Sequence, residues 1–412
     1  MINKIKFALG GLCLLTFLVS CQNNQAVQKI STPCKLGGEP NLHITKDGKA
    51  MLSWVEYLND TTDVLAFSTL IANEWSAPKI IAKGTNWFVN WADFPSIVAY
   101  QENSNHLAAH WLQKSAIGTY DYDVRIAQSL DGGKNWEPSF IPHTDGIAAE
   151  HGFVSMLPVD GGKVFATWLD GRYTKTENNS DGHDHEGQGG AMTLRAAFFD
   201  KKGSLTGEIE LDNKVCDCCS TSAALTSDGV IVAYRDRSSE EIRDISIVRQ
   251  IGQDWTRPRT LHSDNWEIAG CPVNGPKIIT DGKKKVAVAW YTMANDTAKV
   301  QVILSQDGGA NFGVPLRIDD GNPLGRVDLI FSNNKLIVSW LENKGENKAA
   351  IRIAKVKQEG VIERKMTVTQ TSAARSSGFP ILEKLENQLI MAWTEIIDVE
   401  ENTTISSAFI DL

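Results

Sequence analysis

The chain has 412 residues, 42% of them apolar and 22% charged, with 33 glycines, 12 tryptophans and a formal net charge of −9. Disorder needs fewer apolar groups, collagen needs glycine at every third position, and a disulfide-dense miniprotein is shorter and richer in cysteine. The acidic balance excludes a basic nucleic-acid binder, whose phosphate contacts require concentrated positive charge, and a single long apolar run, at the N-terminus, excludes a polytopic membrane protein.

At the N-terminus, Lys4 and Lys6 precede an apolar segment of 13 residues from Phe7 to Val19. A bilayer span takes about 20 residues, so this segment suits a secretory signal. Leu18-Val19-Ser20-Cys21 resembles the bacterial lipoprotein box. That resemblance implies cleavage ahead of Cys21 and lipidation of its sulfur, with Gln22 directing the protein to the periplasmic side of the outer membrane. The expected organisation is a signal peptide over 1–20, a lipid-anchored flexible tether over 21–33 and one domain over 34–412.

Downstream, one pattern recurs: a β-branched or aliphatic run, then Trp or Tyr, then often an acid. It reads MLSWVE at Trp54, LAAHWLQ at Trp111, VFATWLD at Trp168, VIVAYRD at Tyr234, VAVAWYT at Trp290, LIVSWLE at Trp340 and LIMAWTE at Trp393. Around it lie short alternating segments such as VRIAQS (124–129) and VQVILS (300–305), which have the period of two of strands. No long segment keeps a helical period with caps. Four antiparallel strands per unit at fixed spacing predict an all-β fold, a β-propeller. Seven blades are preferred, closed by a fourth strand for the last blade from Cys34 to Pro40; six blades with an accessory strand pair is the alternative.

Two turns carry a second pattern. SLDGGKNW holds Ser129, Asp131, Gly133 and Trp136, and SQDGGANF holds Ser305, Asp307, Gly309 and Phe312. The acid can accept backbone N–H groups across a tight turn, the glycine tolerates unusual backbone angles, and the aromatic ring packs between strands. With these turns the chain resembles the sialidase superfamily of Asp-box, or bacterial neuraminidase repeat, propellers. The resemblance implies a glycan or acidic sugar bound at the propeller mouth. Hydrolysis of sialidase type needs an arginine clamp for a carboxylate, a tyrosine nucleophile and an acid/base carboxylate. Arg235, Arg237, Arg326 and Arg375, Tyr234 and Asp236 are the candidates, although the superfamily's Arg-containing first-strand motif is absent; ADFPSI at 92–97 is the nearest string.

Strand direction places the start of each blade's first strand and the end of its second at one mouth. The acids that follow the repeated Trp, such as Glu56, Asp170 and Glu342, fall in that set. So do the cysteines: VCDCCSTS carries Cys216, Cys218 and Cys219 at the start of blade four, and AGCPVNGP carries Cys271 at the start of blade five. These sulfurs predict either disulfides, in an oxidising compartment, or a thiolate or Cys/His site for copper or zinc. His151 and the His183 and His185 of DGHDHEG are the histidine candidates. Two main functional readings follow: a glycan-recognising or glycan-hydrolysing propeller, and a non-enzymatic periplasmic propeller with a metal or redox site. A scaffold for a periplasmic protein partner is the third. The expected partners are the membrane, through the lipid anchor, and a glycan or protein, with no nucleic acid.

Overall fold

The structure is a computed structural model that describes residues 26–175 and 190–411. Among the described residues the strands form seven antiparallel sheets arranged as the blades of one propeller. Gly37–Ile44, Ser96–Tyr100, His151–Val159, Ser222–Leu225, Lys277–Thr280, Pro323–Ser332 and Ile381–Leu385 are the innermost strands of blades one to seven. Together they line a central cavity of about 230 Å³. Seven blades therefore stand in place of six. Blade two has three strands, and its fourth is reduced to one bridge between Ile126 and Phe140.

Ring closure differs from the sequence expectation. Val27–Ile30 pairs antiparallel with Thr403–Ile410 and is the outermost strand of blade seven. Residues 34–40 instead lead into the innermost strand of blade one. The physical reason is edge pairing: Thr403–Ile410 ends its sheet with a row of free N–H and C=O groups, and a four-residue strand immediately upstream of blade one reaches it. A strand of the propeller thus lies within the segment expected to be a tether.

Both faces of each sheet are apolar and packed against the neighbouring blade. Met51 and Phe67 of blade one meet Ile97 and Trp111 of blade two. The same arrangement continues round the ring until Trp54 and Leu52 of blade one meet Ile390 and Phe409 of blade seven. The repeated aromatic residue lies on the second strand of every blade, and Trp54, Trp168, Trp290, Trp340 and Trp393 are each at most 1% exposed.

The acid that follows the tryptophan has a local cause. In an extended strand residues i and i+2 project from one face. The indole N–H of Trp54, Trp168 and Trp340 accordingly donates to Glu56, Asp170 and Glu342 at 2.7, 2.9 and 2.6 Å. These acids are partners of the buried indoles, and the motif records a hydrogen bond before any chemistry at the mouth.

The two glycine turns close alike. Ser129 Oγ donates to Asp131 at 2.9 Å, and Asp131 Oδ1 accepts the Asn135 N–H at 3.0 Å. The corresponding Ser305–Asp307 and Asn311–Asp307 distances are 2.7 and 2.8 Å. A Cβ on Gly133 would lie 2.5 Å from Phe67 and one on Gly309 2.6 Å from Ile231, at φ of +77° and +79°. Glycine is needed there twice over, for backbone angle and for close approach. Trp136 packs edge-on to Phe67, and Phe312 packs against the core between blades four and five.

Trp111 offers a control for the indole bonds, because its buried N–H has no partner and it stacks on Trp87. Trp340→Phe should lose about 1–3 kcal/mol by leaving Glu342 short of a donor. Trp111→Phe, which breaks no such bond, should lose less in the same urea unfolding experiment. Equal losses would mean that ring volume alone sets the cost.

Candidate functional site

The arginines and tyrosine expected to act on a sugar are held by the fold itself. Arg235 is 1% exposed. Its guanidinium donates to the backbone carbonyls of Asn274 (3.0 and 2.8 Å), Arg243 (2.6 Å) and Tyr291 (2.7 Å), and stacks over Trp266. Arg326 donates to Ser377 Oγ and to the carbonyls of Gly378 and Ala374 at 2.7–3.0 Å, beneath Trp91. Arg237 is paired with Glu241 and Asp217. Tyr234 is fully buried, and its hydroxyl donates to Asp212 at 2.5 Å. Asp236 accepts from Ser246 Oγ at 2.8 Å. Arg375 is exposed, with its guanidinium over Trp91. The carboxylate clamp is therefore not assembled: two of its four arginines hold loop carbonyls and a third holds two acids.

The thiols do come together. Cys216 Sγ lies 3.2 Å from Cys219 Sγ and 3.9 Å from Cys218 Sγ. Cys271, on the loop of the next blade that packs against the cysteine loop, lies close enough for its ionisation to depend on that of Cys218. Cys216 and Cys219 are buried, Cys218 is half-buried and Cys271 is exposed, and none of them is in a disulfide. The cluster thus has a buried floor and an open side. It adjoins the channel, because Ser220, Thr221, Gly275 and Pro276 of the same two loops line the central cavity.

Two features bring these loops into contact. A Cβ on Gly275 would lie 2.0 Å from the Ser220 carbonyl oxygen, so only glycine lets the 270–276 loop rest on the cysteine loop. Asn274 anchors the loop from both sides: its carbonyl receives Arg235 and its side-chain oxygen accepts the Arg326 N–H at 2.7 Å. Arg235 is thus a positioning residue for the cysteine-bearing loop, whereas Arg326 meets that loop only through its backbone N–H and spends its guanidinium on residues 374–378.

The electrostatics favour a thiolate. Arg243 is fully buried; its Nη1 lies 3.4 Å from Cys216 Sγ and its Nη2 2.8 Å from Glu241. Burial opposes ionisation of Cys216, but hydrogen bonds from Cys218 and Cys219 and the charge of Arg243 outweigh it and hold this thiol well below its usual range. Nearby Glu150 is pushed well above the usual carboxylate range, chiefly by desolvation. Cys34 stands apart against Glu56, where burial pushes its thiol up to about 12.

Of the candidate histidines, the described one, His151, does not join the sulfurs. His151 stacks on His143 with ring centroids 3.8 Å apart, among Asp123, Asp145 and Asp170. His183, His185 and Cys21 lie outside the described residues. The mixed Cys/His set expected from the sequence is, among the described residues, a sulfur set and a separate histidine set. Arg243 and Glu241 are the site residues that sequence reasoning missed. Their alternation in EEIRD, two residues after YRDR, is the one available signal, since i and i+2 on an extended segment share a face.

No family model matches the chain, and no curated relative does. Among solved structures it is similar to a protein of unknown function from Dyadobacter fermentans, at 12% identity and a TM-score of 0.54 over 93% of this chain and 98% of that one. It is also similar to the polysaccharide lyase Uly1, at 11% identity and 0.53 over 95% and 93% of the two chains. A polysaccharide lyase of the PL25 ulvan lyase family, bound to -[GlcA(1-4)Rha3S]-, superposes at 0.50 and 11% identity over 81% and 80%. At these identities the likeness shows the propeller fold.

Arg243→Met removes the cation beside Cys216 while keeping much of its volume. In reduced, metal-stripped protein the ultraviolet thiolate absorbance should disappear on acidification at a higher pH in Arg243→Met than in the wild type. Coincident titrations would show that Arg243 does not stabilise the thiolate.

Proposed function

We propose that this protein is an exported, lipid-anchored propeller that holds a soft metal ion, copper(I) or zinc(II), at its mouth through Cys216, Cys218, Cys219 and Cys271. The observation that carries this reading is the convergence of Cys216, Cys218 and Cys219 beside a buried arginine, with the Cys271 loop of the next blade packed against theirs. Thiolate sulfur is the ligand type that selects copper(I) and zinc, and a thiol held below its usual range is already in ligand form. Three sulfurs on one loop would hold the ion against the propeller. Cys271, exposed on the neighbouring loop, would be the ligand a partner could displace. The charged N-terminus, short apolar segment and Leu18-Val19-Ser20-Cys21 support export and anchoring. Sorting by Gln22 supports a periplasm-facing position on the outer membrane.

Metal analysis of protein purified without a histidine tag tests this reading. The expected result is one thiolate-bound copper or zinc per chain, lost in Cys216→Ser and in Cys271→Ser and retained in Cys34→Ser. Protein that binds neither metal at these thiols, with Cys216 and Cys219 recovered quantitatively as a disulfide, would overturn it.

A second reading, recognition of an acidic glycan, is favoured by the fold likeness to polysaccharide lyases and by exposed Arg375 beside Trp91 at the mouth. Guanidinium and aromatic ring are the pair that would receive a sugar carboxylate and a sugar face. On this reading Arg375→Ala should weaken binding of a uronic-acid oligosaccharide at least tenfold in calorimetry. Unchanged binding, or none by the wild type, would remove it.

A further inference from the structure

The histidine cluster at the start of blade three carries an assignment of its own, independent of the sulfurs. We propose that His143, His151, Asp145 and Asp170 form a second metal site, for a divalent ion of the zinc class held by nitrogen and oxygen ligands.

The group is buried: Asp145, His151 and Asp170 can turn ligand atoms to within 4.8 Å of one another, and His143 joins them through Asp145. His151, the first residue of its strand, and Asp170 are fully buried, and the side chains of His143 and Asp145 are each 4% exposed. The imidazoles lie face to face, 5° from parallel, so each turns one ring nitrogen to the same side. His143 Nδ1 and His151 Nε2 lie 3.2 and 3.3 Å from Asp145 Oδ2, and His151 Nε2 lies 3.6 Å from Asp170 Oδ1. His151 Nε2 and Asp145 Oδ2 make no well-directed hydrogen bond; they meet each other, and Asp145 Oδ2 meets Arg172, only as ion-pair contacts. Buried polar atoms are ordinarily satisfied by directed hydrogen bonds, and here the pair faces each other across the centre of the group with charge alone between them.

The surroundings prepare His151 as a ligand. Its Nδ1 lies 3.3 and 3.2 Å from the carbonyl oxygens of Tyr122 and Ala149. A ring nitrogen beside carbonyls carries a hydrogen, so Nε2, the atom turned towards Asp145 and Asp170, is the one that would offer its lone pair to an ion, which displaces the proton shared with those acids. A metal-bound histidine is held by this kind of outer contact. Imidazole with carboxylate suits zinc and its neighbours, whereas copper(I) prefers the sulfur cluster.

Charge supplies the third argument. Asp123, Asp145 and Asp170 surround the rings; Arg125 lies near Asp123, and the cation facing the other two is Arg172, with Nε 2.7 Å from Asp170 Oδ1 and Nη2 3.2 Å from Asp145 Oδ2. Arg172 therefore stands where a divalent ion would draw on the same two carboxylates. Glu208, 3.7 Å from Arg172 Nη2, offers the guanidinium another partner when the ion takes its place. Arginine and metal ion compete for one pair of acids, so removing the arginine should strengthen metal binding.

Cobalt(II) titration of the full mature protein tests this, because thiolate-bound cobalt shows sulfur-to-metal charge transfer and cobalt on nitrogen and oxygen does not. The wild type should bind one cobalt ion without charge transfer. His143→Gln and Asp145→Asn should weaken that ion roughly 10- to 100-fold, and Arg172→Met should tighten it, with circular dichroism confirming that each variant is folded. If the ligand variants fail to fold, the Arg172→Met comparison decides alone. Absence of a charge-transfer-free ion, or affinities unchanged across the folded variants, would overturn the site. Loss of the charge-transfer species alone bears on the sulfur centre and leaves this site standing.

Discussion

A strand sheet that is apolar on both faces cannot stand alone in water, and in this protein that constraint governs everything else. Each blade buries one face on its predecessor and the other on its successor, so no blade is satisfied until the ring is closed. The interface of Trp54 with Ile390 and Phe409 completes that circuit, and Val27–Ile30 covers the remaining sheet edge. Chain ends meeting in one blade tie ring closure to the backbone as well as to the core.

Closure also determines what meets at the mouth. The start of one blade is brought against the start of the next, so residues more than fifty positions apart, such as Cys216 and Cys271, share a neighbourhood. The contact is made by backbone: Gly275 on Ser220, and Asn274 between Arg235 and Arg326. Arginines that in isolation suggest ligand binding are used to seat a loop, because a buried guanidinium needs several acceptors and loop carbonyls provide them at fixed angles. A single buried arginine, Arg243, remains to meet a sulfur.

The metal readings separate by ligand chemistry. Sulfur collects between blades four and five, and imidazole with carboxylate collects between blades two and three. His151 illustrates the division: it precedes blade three as the cysteines precede blade four, yet its ring turns towards His143 and away from the sulfurs. The direction of a side chain at a strand start depends on the neighbouring loop that packs there, and residues 141–150 of blade two supply that loop.

Much of the fold is legible in the residues alone, because its causes are local. Alternation with a period of two, the buried Trp with its acid at i+2, and the Ser-x-Asp-x-Gly turn each reflect contacts within a few residues, and the sevenfold recurrence of the aromatic strand specifies a propeller. The convergence of Cys216, Cys218, Cys219 and Cys271 follows from the same periodicity once blades are numbered. Only the tertiary structure decided which strand closes the ring, that Arg235 and Arg326 serve carbonyls, and that Arg243 accompanies the thiols. Those outcomes depend on partners dozens of residues away whose approach is set by inter-blade packing, and no local pattern encodes a distance across two sheets.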